Sequence, residues 1–289
     1  MIGAPQPSSL RTILVLARAS NLPTVWSNCL AGWFLGGGGD LSKFLWLCVG
    51  ATFLYTGGMF LNDAFDADFD RQHRRLRPIP TGVVSEKEVW LSGFILLAFG
   101  ALTLFWMGWV TALLTICLVI SILVYDAIHK AVSISPVIMA TCRFLLYLVA
   151  ASTSTDGVNG AAIWSALALA AYIIGLSYLA RKETSRGALK SWPCYILAAP
   201  ILLALLVNDG SHQRMALIIS LVLAAWILWC LRHTFWTPQR NIGVTVSLLL
   251  AGIPLVDWLA VGANNPIFGL VFAGLLVSSL LFQKFIPAT

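Results

Sequence analysis

Apolar residues run through this chain in long blocks, separated by short polar breaks. Ten stretches are long and apolar enough, or nearly so, to cover a bilayer's hydrocarbon core as helices, which takes about 20 residues. They span roughly 11–36, 42–66, 86–107, 109–126, 134–154, 160–181, 191–207, 213–232, 241–261 and 266–286. The third and fourth meet at Gly108 with almost no loop, and Gly262 with Asn264-Asn265-Pro266 splits the last two. None of the stretches alternates with a period of two, which argues against a β-barrel. The pattern predicts an all-α, polytopic transmembrane bundle of nine or ten helices, forming a single domain over residues 1–289.

The polar breaks give the orientation. Number the stretches one to ten. Of the 18 Lys and Arg residues, 14 lie in the N-terminal segment or follow the even-numbered stretches, from Arg11 and Arg18 to Arg232 and Arg240. The opposite side carries only Lys43 and Arg214, with Asp40, Asp156 and Asp209. Basic loops stay in the cytoplasm, so the expectation is an integral protein of the cytoplasmic (inner) membrane with its N-terminus inside. Tryptophans near helix ends, such as Trp90, Trp109, Trp192 and Trp236, suit interfacial anchors.

Composition sharpens this. Hydrophobic residues make up 59% and charged residues 10%, with a mean hydropathy of +0.86. Soluble domains carry about 25% charged residues, so lipid must solvate most of this chain. The net charge of +6 is accounted for by the basic loops. No basic stripe with interleaved aromatics suggests nucleic acid as a partner. The six cysteines show no CxxC spacing and lie in or beside apolar stretches, so they read as packing residues, with no disulfide or zinc site expected. The first ten residues lack a basic n-region, so the first stretch reads as a retained helix.

Chemistry enters at the end of the second stretch, in Asn62-Asp63-Ala64-Phe65-Asp66-Ala67-Asp68-Phe69-Asp70. At about 100° per residue, Asn62, Asp66, Asp70 and Asp63 fall within roughly 100° of each other, while Asp68 lies at about 240°. Carboxylates this close repel, and acids at a helix C-terminus oppose its dipole. A hard cation relieves both effects, and Mg²⁺ uses one or two carboxylates together with substrate phosphate. The next run, Arg71 to Arg77, supplies cations that suit phosphate. Arg143 sits in the middle of the fifth stretch, where a charge is costly and marks a polar cavity. Asp126 and His129, at a membrane edge, read as solvated loop residues more readily than as acid/base groups.

The motif Asn62-Asp63-x-x-Asp66-x-x-x-Asp70, followed by Arg77-Pro78-Ile79-Pro80-Thr81-Gly82, resembles the first aspartate-rich motif of the UbiA superfamily of intramembrane prenyltransferases. Arg18-Ala19-Ser20-Asn21-Leu22-Pro23 resembles that family's first-helix element, and Tyr125 through Lys130 its loop after helix four. The resemblance implies a bundle around a central cavity, capped by cytoplasmic loops. It implies Mg²⁺ as cofactor and, as partners, a prenyl diphosphate, a lipophilic and usually aromatic acceptor, and membrane lipid. By position, Asn62, Asp66 and Asp70 hold metal with Asp63 in support. Arg18, Arg77 and Lys130 hold phosphate, and Asn21 and Tyr125 bind substrate. Asp66, Asp70 and Lys130 carry the catalysis.

The family's second aspartate-rich motif is acid-poor here. Where it belongs, Tyr178-Leu179-Ala180-Arg181-Lys182-Glu183-Thr184-Ser185-Arg186 keeps only Glu183. Glu183 is the remaining candidate for a second metal. Tyr178, Arg181, Lys182 and Arg186 are expected to bind the diphosphate, the bases by fixed charge. The run Tyr178 to Glu183 resembles the Ebo-cluster prenyltransferase-like branch. The acid-poor motif keeps a second reading open: a catalytically degenerate protein that binds or carries a prenyl lipid. The aspartate spacing of CDP-alcohol phosphotransferases is absent.

Overall fold

The computed structural model describes residues 9–181, 191–208, 210–237, 239–262 and 266–287. Among them every element is helical. In chain order they are α1 (Ser9–Leu16), a 3₁₀ turn (Ala19–Asn21), α2 (Leu22–Leu35), α3 (Leu41–Phe65), α4 (Ala67–His73), α5 (Glu86–Phe105), α6 (Trp109–Ile128), α7 (Ser135–Ser152), α8 (Gly160–Ala180), α9 (Trp192–Ile196), α10 (Ala199–Val207), α11 (Gly210–Phe235), α12 (Ile242–Ala251), α13 (Ile253–Val261) and α14 (Pro266–Gln283). Seven described segments are long and apolar enough to cross a membrane: α3, α5, α6, α7, α8, residues 213–235 of α11, and α12–α13 together. The apolar segments Trp192–Val207 and Phe268–Gln283 are shorter.

Three stretches expected as single helices are broken. Residues 11–36 divide at Arg18, whose backbone is left-handed (φ 42°). Residues 191–207 divide between α9 and α10, where Pro200 opens the second piece. Residues 241–261 divide at Gly252, with Pro254 in the first turn of α13. Proline removes an N–H and crowds the preceding turn, and inside a bilayer the freed carbonyls need new partners. Around the Gly252 break, the Gly252 N–H bonds back to Leu248 O and Leu249 O, and side chains add further bonds there: Trp226 Nε1 donates to Leu248 O at 3.2 Å, and the Tyr172 hydroxyl donates to Leu249 O at 2.9 Å.

The acid-bearing helix α3 is clamped to α5 by glycines spaced seven apart on each. A Cβ on Gly57 would come within 2.9 Å of Gly93 O, and one on Gly100 within 2.8 Å of Gly50 O. Small residues let the two backbones close on each other, a common packing device where lipid supplies no hydrophobic drive between helices. Ser85 and Glu88 form a reciprocal capping box that starts α5.

The connections sort to the two ends of the bundle. At one end, the 36–39 glycine loop is stitched to residues 155–159 by backbone bonds from Thr155 and Asp156 and by Asn159 Nδ2 to Leu35 O at 2.7 Å. At the other end lie the C-terminus of α3, the loop 74–85, the turn after α6 and the end of α8.

Candidate active site

The site is built at that second end. Backbone hydrogen bonds from Asp66 N to Asn62 O and from Asp70 N to Asp66 O carry the helical path across the α3–α4 junction. Asn62, Asp63, Asp66 and Asp70 are therefore presented together and are all buried. The Asp68 side chain is 94% exposed and bonds to Arg71, which also reaches Glu86. Period alone separated these two sets.

Each buried acid meets a base from elsewhere in the chain. Arg77 lies 2.6 Å from Asp63 and 3.4 Å from Asp70. Its loop is fixed locally. Gly82 takes a positive φ of 74°, Thr81 Oγ1 donates to Arg77 O and Pro78 O, and Ile79 is buried against Leu16, Phe60, Ala64 and Val89. Lys130 Nζ sits 2.6 Å from Asp66 Oδ1 and 3.8 Å from the Phe69 ring centroid, a cation–π contact. His129 Nε2 is 3.4 Å from the same Asp66 oxygen, and its ring stacks on Tyr125 at 5.0 Å. Arg18 donates to Asn62 Oδ1 at 3.1 Å and reaches Asp63 at 3.4 Å. The left-handed backbone that breaks the first helix is what turns Arg18 here. It is the positive-φ non-glycine residue among those described, a conformation costing about 1–2 kcal/mol. Asn21 is buried beside Tyr55.

The two central carboxylates differ electrically. Burial raises the cost of charging Asp66, but hydrogen bonds from His129 and Lys130 outweigh it and hold the carboxyl below its ordinary range. Burial pushes Asp70 above that range, with Arg77 only partly offsetting it.

Two members of the metal set expected from sequence, Asn62 and Asp63, are engaged by other side chains. Among the described residues, no three His, Cys, Asp or Glu side chains converge as a metal cage. Asp63 is committed to Arg18 and Arg77. Both ends of the Asn62 amide are engaged, since Nδ2 donates to Asp126 at 3.0 Å. Asp126 is buried, so it is part of this network and not a solvated loop residue. What remains suits a hard cation. Asp70 Oδ1 is buried and has no hydrogen-bond partner, and Asp66 lies one helical turn away. Two carboxylates completed by phosphate oxygens are what Mg²⁺ commonly uses.

Of the substrate residues expected at the second motif, Tyr178 and Arg181 are engaged by protein groups. Tyr178 packs edge-on against Trp192 at 4.7 Å. Arg181 donates to Val132 O at 2.7 Å and to Ser135 Oγ at 2.8 Å, which ties the end of α8 to the turn that follows Lys130. Lys182, Glu183 and Arg186 lie outside the described residues. Arg143 joins a different cluster, donating to Asn28 Oδ1 at 2.8 Å and Thr24 Oγ1 at 3.1 Å. Asn28 in turn donates to Asp257 at 2.7 Å. Sequence reading passed over Asp257, although a lone acid inside an apolar stretch is itself a signal.

With this geometry in hand, the UbiA prenyltransferase family model matches residues 22–243, more than half of the chain. The chain belongs to the UbiA prenyltransferase family. Together with the seven membrane-length helices, this makes it an integral membrane protein. Solved structures of the same fold include a UbiA homolog from Archaeoglobus fulgidus bound to DMAPP and Mg²⁺. It has a TM-score of 0.64 and 17% identity, covering 94% of this chain and 99% of that one. A second is the apo UbiA homolog from Aeropyrum pernix, with a TM-score of 0.63 and 15% identity, covering 84% and 96%. A third is a structure from work on digeranylgeranylglyceryl phosphate synthase, with a TM-score of 0.60 and 16% identity, covering 94% and 99%. No curated protein matches the chain. For this UbiA family member, the acids of α3–α4 and the bases around them form the candidate active site.

Proposed function

We propose that this protein is a Mg²⁺-dependent intramembrane prenyltransferase that moves an isoprenoid chain from a prenyl diphosphate to a lipophilic aromatic acceptor. The observation that carries the reading is the convergence of Asp66 and Asp70 with Lys130, Arg77 and Arg18 at one end of the bundle. The family match supports it, as do the structures of the Archaeoglobus fulgidus homolog bound to DMAPP or GPP with Mg²⁺.

In this reading Asp66 and Asp70 hold the metal, and Asn62 and Asp63 hold the bases that surround it. Held by Asp66 and Asp70, Mg²⁺ would supply positive charge to the departing diphosphate. Lys130, Arg77 and Arg18 exchange carboxylate partners for phosphate oxygens, which keeps each cation paired throughout. Phe69 packs beside Lys130 and Tyr125 stacks on His129, and both rings would offer aromatic surface to an electron-poor allylic carbon. The low-dielectric bundle strengthens each of these interactions and excludes water that would quench a cation.

The finer assignments follow the same reading. The protein forms one membrane domain over residues 1–289 and lies in the cytoplasmic membrane, with its N-terminus and acidic end in the cytoplasm. The run Tyr178 to Glu183 supports membership of the Ebo-cluster branch. Lys182 and Arg186 add positive charge at the second motif, and Arg181 holds the turn that presents Lys130.

Release of diphosphate from a prenyl diphosphate, measured on purified protein with and without Mg²⁺, tests the activity. Mg²⁺-dependent release that Asp70→Ala abolishes is the expected result. Tight lipid binding with no release under any metal would instead favour a carrier, the reading suited to the lack of a carboxylate in the described part of the α8 end. Labelling of single cysteines at residues 75 and 43 with a membrane-impermeant reagent tests orientation; strong outside labelling at 75 would invert it.

A further inference from the structure

The three bases of the candidate site are held unequally. Lys130 lies 2.6 Å from Asp66, and Arg77 lies 2.6 Å from Asp63. Arg18 has the weaker ion pair: it reaches Asp63 at 3.4 Å, on the same Oδ1 that Arg77 takes at 2.6 Å. Its shorter bond, at 3.1 Å, goes to the amide oxygen of Asn62. Where the Arg18 guanidinium sits therefore depends on how the Asn62 amide is turned.

The two ends of an amide are alike in shape and opposite in chemistry: the oxygen accepts and the nitrogen donates. A guanidinium only donates. Arg18 is held when the Asn62 oxygen faces it and loses its partner when the nitrogen does. Asp126, on α6 and 64 residues away from Asn62, fixes that choice from the far side. Its Oδ1 accepts from Asn62 Nδ2 at 3.0 Å, which leaves Asn62 Oδ1 for Arg18. Three side chains from three parts of the chain thus form one relay, from donor through amide to acceptor.

The Asp126 carboxyl does little else in the fold. It is 3% exposed. Its second oxygen, Oδ2, is buried with no hydrogen-bond partner. Among the described residues, the bond from Asn62 is the one hydrogen bond its side chain makes. A buried carboxyl this sparsely bonded costs stability, and an apolar side chain of similar size is commonly tolerated in such a place. The carboxyl nonetheless stands one hydrogen bond from the residue that holds an active-site base.

We infer that Asp126 is a positioning residue for the diphosphate site: by accepting from Asn62 Nδ2 it turns the Asn62 carbonyl to Arg18 and keeps the guanidinium in place as a phosphate oxygen takes over from Asp63. This rests on the prenyltransferase reading for the diphosphate. Asp126 acts through Asn62 and Arg18 and holds neither metal nor phosphate itself.

The test is a coupling measurement, with Mg²⁺ and inorganic pyrophosphate titrated calorimetrically into detergent-purified full-length protein. Arg18→Ala lowers pyrophosphate affinity by roughly 10-fold or more, the loss of a charge-assisted bond. Asp126→Leu, close in size, lowers it by about 10-fold, the lower range for groups that orient others. The double variant binds within about 2-fold of Arg18→Ala alone, because Asp126 then has nothing to position. A general loosening of the fold would instead add to the Arg18→Ala loss. Asp126→Asn keeps an acceptor oxygen for the Asn62 amide and stays within about 3-fold of the native affinity. If Asp126→Leu does not fold, Asp126→Ser, whose hydroxyl falls short of that amide, takes its place with the same expected outcome. Additive losses, equal losses in Asp126→Asn and Asp126→Leu, or native affinity in Asp126→Leu each overturn this inference alone. Native protein that binds no pyrophosphate with Mg²⁺ overturns the prenyltransferase reading, and this inference with it.

Discussion

Two helix ends on the same side of the bundle do different things. The end of α3, continued into α4, gathers Asn62, Asp63, Asp66 and Asp70 and pairs them with Arg18, Arg77 and Lys130. The end of α8 presents no carboxylate among its described residues. Tyr178 packs on Trp192, and Arg181 is used on a backbone carbonyl and a serine hydroxyl of the turn after α6. One end concentrates charge that a diphosphate and a metal can use. The other holds in place a turn that delivers Lys130 to the first. On the reading proposed above, the described part of the acid-poor second motif contributes a support for the Lys130 turn in place of a carboxylate.

The largest effects are expected where charge is concentrated. Asp66→Ala or Asp70→Ala should weaken Mg²⁺-dependent binding of a prenyl diphosphate by roughly 100-fold or more, read by calorimetric titration. Asp68→Ala should stay within about 2-fold, since exposed substitutions seldom matter. Equal tolerance of all three would erase the contrast. Metal stoichiometry sharpens it further. Anomalous scattering from Mn²⁺ with a diphosphate analogue should show one strong ion at Asp66 and Asp70. Two equally occupied ions, the second held by Glu183, would make the two ends equivalent.

A smaller effect is expected from the supporting end. Arg181→Ala frees the 131–135 turn and should raise the KM for the diphosphate by about 10-fold, the lower range for groups that orient others, with kcat changed less. Restoration by Arg181→Lys would assign the effect to the bond with Val132 O. No change in either constant would remove the supporting role. The smallest effect is the pH dependence. Asp70 is held above its ordinary range by burial, and Asp66 is held below it by His129 and Lys130. On acidification Asp70 takes up a proton first, so Mg²⁺ affinity should fall before Asp66 titrates. Asp70→Asn should flatten that limb of the profile.

Much of this was legible in sequence. Hydropathy marked each apolar stretch, and helical period separated outward Asp68 from the buried acids. The Arg77–Gly82 run was legible as a motif, but its physical logic is tertiary: Ile79 pins the loop under α5 while Gly82 turns it. The break at Arg18 was not legible, because an apolar run reads alike whether straight or kinked, while Pro200 and Pro254 were visible signals for the breaks at 197–198 and Gly252 that the reading passed over. Asp126 was read as a solvated edge residue, yet it is buried on Asn62, 64 residues away.

By itself, the sequence determined that this chain lies in a membrane, that it is helical, and which acids share a face. Those properties depend on composition and on neighbours within a turn or two. Only the tertiary structure decided which base meets which acid, and that Asp257 is joined through Asn28 to Arg143. Asn28 and Asp257 are 229 residues apart, and Asn28 and Arg143 are 115 apart. Such pairings arise because a bundle must neutralise each charge it buries, and the partner is set by which helices pack together, which no local period encodes.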